Sequence, residues 1–406
     1  MGTAKHKHTT LQQICNLIPG HLVSCLAREY GVEEQWRTFS PWSHVVAMLY
    51  AQLSHALSLN DVVDSCHNHR GELTALRGAT PPSRNGLSHA NRERHADMME
   101  ALFWQVLSHT QRACPGFGYG QRYSGLPRRF KRTVYAVDST VIRLIANCMD
   151  WAKHRRRKAA AKIHLGLDLQ TFLPRFVMVE EGSTHDATVA KELCAPLADG
   201  EIVVFDKAYV DFKHLNSLDE RGVFWVTRAK ENMRYRAVGQ QAAKRGKILR
   251  DETIKLTGPN SRRDYPKVFR RIEAIVELDG RPPTHMTFIT NNFKWAAASI
   301  ADLYKSRWAV EVFFKQIKQT LQLADFLGHS ENAVRWQIWS ALLCYLLLRF
   351  LAHLGRWKGS FSRLFTLLRG ILFSRLDIFR VMTECAEPRG SPRKLAALQQ
   401  LSLPGF

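Results

Sequence analysis

Two short apolar runs, each ended by an aspartate, constrain this chain most. Residues 134–138 read VYAVD, alternating and rich in β-formers, and residues 201–206 read EIVVFD. The second run is continuously apolar, the pattern of a strand buried on both faces. Further strand-like runs at 163–169, 175–180 and 223–228 lie among helical patterns at 186–197 and 211–219. Strands interleaved with helices predict an α/β fold with a covered sheet. A carboxylate at the carboxyl end of a buried strand is presented at the sheet rim, where sites form in such folds. Taken alone, Asp138 or Asp206 is more often a plain turn residue.

The rest of the chain sorts by pattern. Residues 1–114 are helical: Leu11, Ile14, Leu17 and Ile18 recur at helical spacing, as do Val45, Met48, Leu49, Leu53 and Leu57. Breaks fall at 58–61 (SLND) and 78–86 (GATPPSRNG), and a helix rich in Arg and His resumes over 86–107. This region is a candidate DNA-binding domain. Residues 115–132, rich in Gly, Pro and Arg, read as a basic linker. Residues 133–228 and 291–350 form the two parts of the strand-and-helix core, separated by a polar, β-rich insertion at 229–290. That insertion has strand candidates at 272–277 and 286–290, and residues 351–406 are helical again.

Charge narrows the partners. Lys and Arg number 58 against 36 Asp and Glu, a net +22, which implies a polyanion as partner. Nucleic acid and an acidic membrane surface both fit. The most apolar stretch, 338–348, is about half a bilayer span and stops at Arg349, so it reads as a buried core helix. The start, MGTAKHKHTT, lacks the apolar centre of a signal peptide. No membrane contact is expected, and nucleic acid remains. Eight scattered cysteines without a CxxC pair argue against zinc or a disulfide framework and suit a reducing compartment.

Residues 304–318, YKSRWAVEVFFKQIK, carry the most specific pattern. Tyr304, Arg307, Glu311 and Lys318 fall at i, i+3, i+7 and i+14, a stripe roughly 60° wide on a helix. Val310, Phe313, Phe314, Ile317 and Leu321 fall on the adjacent stripe. One flank therefore packs into a core while its neighbour presents an acid among basic and phenolic groups. A solvated charged face is the plain alternative. If Asp138, Asp206 and Glu311 converge, they repel one another and burial raises their pKa values. A divalent cation such as Mg²⁺, which prefers oxygen ligands, resolves this. Two such ions about 3.5–4 Å apart can clamp the attacking and leaving oxygens of a phosphodiester displacement. Tyr304, Arg307 and Lys318 then hold DNA phosphates without reading sequence.

The spacing Tyr304-x2-Arg307-x3-Glu311-x6-Lys318 resembles the Y-R-E-K signature of DDE transposases in the fourth insertion-sequence family of bacteria. YAVDST (135–140) looks like that family's first-aspartate strand, VVFDKAY (203–209) like its second, and SENAVRWQIWSALLCYLLL (330–348) like its C-terminal helix. The resemblance spans residues 130–350. It implies a ribonuclease-H-like core interrupted by the β-rich insertion. It also implies Mg²⁺ or Mn²⁺ held by Asp138, Asp206 and Glu311. The partners it implies are double-stranded DNA, as transposon ends and target, and a second copy of the chain in a homodimeric end complex. The activity would be cleavage at terminal inverted repeats and strand transfer by cut and paste, in the bacterial cytoplasm on the nucleoid.

Lys162 and His164 match a K-x-H pattern of relatives, which suggests a place near the site or on DNA, against a solvated strand face. Arg228 ends VFWVTR and is a DNA-contact candidate. His185 and Asp186 match the family's GSTHD, with Asp186 read as a helix cap. Trp308 reads either as a base-stacking side chain or as core. One departure stands out: where some hairpin-forming relatives carry a tryptophan before the strand at 288–290, this chain has His285 and Met286. Base flipping would then use another side chain, or none. Two other functions stay open: a DNA-binding relative that cuts nothing, and a ribonuclease-H-like nuclease without strand transfer. The three acids argue against the first, and only an assay separates the second.

Overall fold

The computed structural model describes residues 5–32, 38–118, 130–144, 153–155, 158–181, 186–241, 246–277, 282–320 and 327–386. His185, Leu321, Cys148 and most of the expected 115–132 linker lie outside them.

Ten strands are described: β1 (Val134–Leu144), β2 (Lys153–Arg155), β3 (Lys158–Asp168), β4 (Leu173–Glu181), β5 (Ile202–Phe205), β6 (Phe224–Arg228), β7 (Tyr235–Gln240), β8 (Ile248–Leu256), β9 (Phe269–Val276) and β10 (Thr284–Thr290). They form one sheet in the order β4-β3-β1-β5-β6-β10-β9-β8-β7, with β2 also paired to β3. β1 runs antiparallel to β3, and β3 antiparallel to β4. β5 is parallel to β1, and β6 parallel to β5. Three antiparallel strands followed by two parallel ones make the ribonuclease-H-like core. The β-rich segment after it continues the same sheet, because β10 pairs with β6. β1 continues six residues past Asp138, to Leu144, and the basic run at 153–162 contributes strand β2 and the start of β3.

The period-two alternation of side chains decides which face each strand residue meets. Val134, Ala136, Ile202, Val204, Val226, Ile272 and Phe288 join one buried cluster. Tyr135, Val137, Val203, Phe205, Trp225 and Ile289 join the other. β5 is apolar throughout because both its faces are covered.

Fifteen helices are described. Seven precede the sheet: α1 (Thr10–Cys15), α2 (Leu22–Glu29), α3 (Pro41–Ser54), α4 (Leu59–Asn68), α5 (Arg70–Thr74), α6 (Arg84–Glu93) and α7 (Asp97–Ala113). Three interrupt it: α8 (Asp186–Leu193), α9 (Phe212–Glu220) and α10 (Pro259–Asp264). Five follow: α11 (Ala297–Ser306), α12 (Trp308–Thr320), α13 (Glu331–Leu354), α14 (Phe361–Arg369) and α15 (Ile378–Ala386). α8 supplies Val189, Ala190 and Leu193, and α9 Leu215 and Leu218, to the second face. α11, α12 and α13 cover the first.

α13 is the hub of the helical layer. It is long and apolar enough to cross a membrane, yet 83% of its apolar window is buried within the fold. Each fully buried Leu or Ile there contributes about 1.5–3 kcal/mol. One apolar cluster runs from Leu11 through Met48 and Phe103 to Leu343 and Met382, so packing does not separate residues 1–114 from the later helices. α1 also meets the segment after α14, with the Leu11 amide donating to the Leu372 carbonyl at 2.8 Å.

The helix expected over 86–107 is broken between α6 and α7. Asn332 explains the break: its amide nitrogen donates to the carbonyls of Asn91 (2.9 Å) and Arg94 (2.6 Å), and its oxygen accepts from the Ala96 amide (2.9 Å). The Trp336 indole donates to the same Arg94 carbonyl at 2.7 Å. Backbone groups freed by the break are thus satisfied from α13.

Candidate active site

Register brings the two aspartates together. The last parallel partners of β1 and β5 are Val137 and Phe205, so Asp138 and Asp206 are the next residues on adjacent strands. Thr227 of β6 pairs with Phe205, which puts Arg228 at the same level. Alternation sends Asp138, Asp206 and Arg228 to the face covered by α11 and α12.

The stripe of residues 304–318 does not lie on one unbroken helix. α11 ends at Ser306 and α12 begins at Trp308. At the junction the Arg307 amide donates to the Tyr304 carbonyl (3.1 Å) and the Val310 amide to the Arg307 carbonyl (3.0 Å), a tightened i→i−3 turn. Val310, Phe313, Phe314 and Ile317 are buried as their spacing predicts. Tyr304 and Arg307 are buried too, at 1% and 5% exposure. They turn toward the aspartates, away from solvent.

Arg307 sits among the acids. Its Nη1 donates to Asp138 Oδ2 and its Nη2 to Glu311 Oε1 at 3.3 Å. The Tyr304 hydroxyl donates to Asp206 Oδ2 at 3.4 Å. The guanidinium also lies 5.6 Å from the Tyr304 ring centre and 5.4 Å from that of Trp308. The four residues Asp138, Asp206, Glu311 and Tyr304 are therefore gathered around one cation. Among the described residues, no group of three or more His, Cys, Asp or Glu is arranged to hold a metal ion directly.

Electrostatics follow from this packing. Burial pushes the Asp138 carboxyl up to about 6, against the opposing pull of Arg307, while Asp206 and Glu311 add to the rise. Burial works against the charge on Arg307, but Asp138, Tyr304, Asp206 and Glu311 outweigh it and hold the guanidinium above its ordinary range. Burial lifts the Tyr304 phenol to about 12. Glu311 is about half exposed, with its carboxylate at the open side of the cluster.

The other candidates separate by sheet face. Lys318 Nζ donates to the Val141 carbonyl on β1 at 2.7 Å, which ties the far end of α12 to the aspartate strand. Arg228 is partly exposed beside Asp206. Lys162 and His164 alternate with the cluster residues Ile163 and Leu165, and so point to the opposite face, toward α8. There Lys162 Nζ lies 3.1 Å from Asp186 Oδ1, and His164 Nδ1 lies 3.0 Å from the Tyr209 hydroxyl. His164 has no exposed surface and so offers none to a phosphate. Asp186, expected to cap its helix, is the first residue of α8, and its carboxylate accepts from Ser139 Oγ at 2.7 Å. Trp308 packs partly buried against the helical core. His285 is half exposed, 3.7 Å from Glu273, whereas Met286 is buried. Sequence reasoning passed over Ser139 and Tyr209, although both lie within the motifs around Asp138 and Asp206.

The Transposase DDE domain family matches residues 129–347, more than half of this chain. A domain family of unknown function (DUF4372) matches residues 6–76. A protein of Sinorhizobium fredii named as a transposase, y4zB, is 32% identical over 271 residues, covering 64% of this chain and 74% of its own. A protein of Geobacillus stearothermophilus named as a transposase for insertion sequence element IS5377 is 27% identical, covering 85% of this chain and 86% of its own. Transposase InsG for insertion sequence element IS4 of Escherichia coli is 27% identical, over 43% of this chain and 41% of its own. A solved piggyBac transposase synaptic complex with hairpin DNA overlays with a TM-score of 0.45 at 10% identity, covering 97% of this chain and 86% of that one.

Proposed function

This chain belongs to the DDE transposase family of bacterial insertion sequences, and we propose that Asp138, Asp206 and Glu311 are the acids at its reaction centre. A DDE transposase cuts DNA and transfers its strands, and it depends on a divalent metal. The observation that carries the assignment is the register, which levels Asp138 with Asp206 at the end of the parallel pairing, with Glu311 joined to them through Arg307.

The donor types fit a divalent cation, while Arg307 now stands between Asp138 and Glu311. All three groups are carboxylates, the hard oxygen donors that Mg²⁺ or Mn²⁺ takes, and burial, with smaller additions from Asp206 and Glu311, lifts Asp138. Such a cation would be held by Asp138, Asp206 and Glu311 and would supply charge stabilisation to the phosphoryl oxygens. The remaining work belongs to the chain's own side chains. Arg307, the cation nearest the acids, and Arg228, one strand from Asp206, stand where a phosphate between them can be held. Tyr304 orients Asp206 through its hydroxyl. Lys318 anchors α12 on β1 at the strand's far end, within reach of backbone phosphates flanking the cut. Lys162 and His164 act from behind the sheet, not on DNA.

DNA is engaged more widely by the N-terminal helices. On α6, Arg84, Asn85, Ser88, His89 and Arg92 are exposed along one face while Leu87, Ala90 and Asn91 are buried. That face has the donors and acceptors that read base edges and phosphates. We assign it to the terminal inverted repeats, with a homodimer holding two ends, in the cytoplasm on the nucleoid.

The experiment uses purified protein, Mg²⁺ and DNA carrying the inverted repeats that flank the coding region. Wild type should nick the ends and join them to target. Asp138→Ala, Asp206→Ala and Glu311→Ala should each bind ends and leave them intact. A variant that nicks at the wild-type rate removes that residue from the reaction centre.

A further inference from the structure

Behind the sheet, on the face away from Arg307, a second polar cluster gathers on one carboxylate. Asp186, the first residue of α8, accepts from Ser139 Oγ at 2.7 Å and lies 3.1 Å from Lys162 Nζ. His164 Nδ1 is 3.5 Å from the same oxygen and 3.0 Å from the Tyr209 hydroxyl. Burial opposes ionisation of Asp186, but its bonds to Ser139 and Lys162 prevail and hold its carboxyl below the ordinary range. The His164 ring is fully enclosed and stands edge-on to Tyr209, 6.2 Å between centres.

Two members of this cluster, Ser139 and Tyr209, lie close to the acids in sequence. Ser139 follows Asp138 on β1, and its amide donates to Asp138 Oδ1 at 2.8 Å. Tyr209 closes the short 3₁₀ turn (Lys207–Tyr209) whose first amides are capped by Asp206, through a 3.1 Å bond from the Ala208 amide to Asp206 Oδ1. The cross-strand partner of Ser139 is His164. One carboxylate on α8 is therefore connected to both strand ends that carry the aspartates, to one through Ser139 and to the other through His164 and Tyr209.

We propose that Asp186 is a positioning residue: it fixes the separation and aim of Asp138 and Asp206 from the opposite face of the sheet, and so sets the affinity of the pair for a divalent cation. This rests on the assignment of those two aspartates to the reaction centre. The physical basis is that a carboxylate ligand wanders unless the backbone beneath it is held. Outer partners of metal-binding groups typically alter affinity by about 10–100-fold when removed. Burial of the network, with Ser139 and Lys162 converging on one acceptor and His164 at 3.5 Å from it, supplies that hold.

The test measures Mn²⁺ binding to the full-length protein by electron paramagnetic resonance, alongside thermal melting, end binding without metal, and the Mg²⁺ dependence of nicking. Asp186→Asn should stay folded and bind ends as wild type does. Its Mn²⁺ affinity should fall by about tenfold, with half-saturating Mg²⁺ rising by the same factor and the rate at saturating Mg²⁺ largely recovered. Ser139→Ala and Tyr209→Phe should shift in the same direction by less. Wild-type Mn²⁺ affinity in a folded Asp186→Asn overturns the proposal. If that variant does not fold, wild-type affinity in both Ser139→Ala and Tyr209→Phe overturns it equally. Loss of Mn²⁺ binding in Asp138→Ala is the control. If Asp138→Ala keeps its affinity, the assignment of the aspartates fails, and that outcome is separate from any result at Asp186.

Discussion

The buried pair Asp251–Arg270 should be the costliest ionic contact to break in the β-rich segment. Arg270 Nε donates to Asp251 Oδ1 at 2.7 Å and Nη2 to Oδ2 at 2.6 Å, with side-chain exposures of 4% and 2%. Nη1 donates to the Trp295 carbonyl at 2.5 Å, at the corner that leads from β10 into α11. Asp251→Ala leaves a buried guanidinium with only the Trp295 and Asn292 carbonyls as partners and should destabilise by about 3–5 kcal/mol. Removing both charges, as Asp251→Leu with Arg270→Met, leaves no orphaned charge and should return to within about 1–2 kcal/mol of wild type. Amide hydrogen exchange of β8 and β9 reads the opening free energy where the change is made. Because the same corner sets the start of the helix bearing Tyr304, Asp251→Ala should also slow end cleavage more than it weakens end binding. A single-variant loss below about 1 kcal/mol, or a double variant as unstable as the single, would refute the reasoning.

Three further outcomes are expected. Gly166→Ala places a Cβ 1.8 Å from Phe176 Cε2. It should cost about 1–3 kcal/mol in denaturant unfolding, and Phe176→Leu should relieve much of it. Asn332→Ala orphans the Ala96 amide and the Asn91 carbonyl, leaves the Arg94 carbonyl with Trp336 alone, and should open the α6–α7 junction to hydrogen exchange by about 1–3 kcal/mol. His44 and His214 are pushed down by burial, to about 3 and about 4. Above about pH 6.5 both are neutral folded or unfolded; below it only the unfolded chain takes the proton. Stability should therefore fall with pH down to those folded values, by roughly 1.4 kcal/mol per pH unit for each group, and His44→Gln should flatten the melting profile.

The sequence by itself determined the elements and the chemistry. Alternation marked β1, the apolar run marked β5 as doubly covered, and helical spacing marked Val310, Phe313, Phe314 and Ile317 as core. These signals are local, because periodicity reports which face of an element meets apolar surroundings. The motif at 304–318 named Glu311 and its neighbours by the same means. Tertiary structure decided what each charged group meets. Tyr304 and Arg307 were read on the flank beside the buried stripe, and they are themselves buried against Asp206 and Asp138. Lys162 and His164 were read beside the site and stand behind it, because a one-residue step along a strand reverses its face. The N-terminal helices were read as a separate unit, and they share one core with α13. The levelling of Asp138 with Asp206 depends on the parallel register of β1 and β5, which joins residues far apart in the chain. No local pattern encodes it, since register is fixed by how both strands bury their two faces at once.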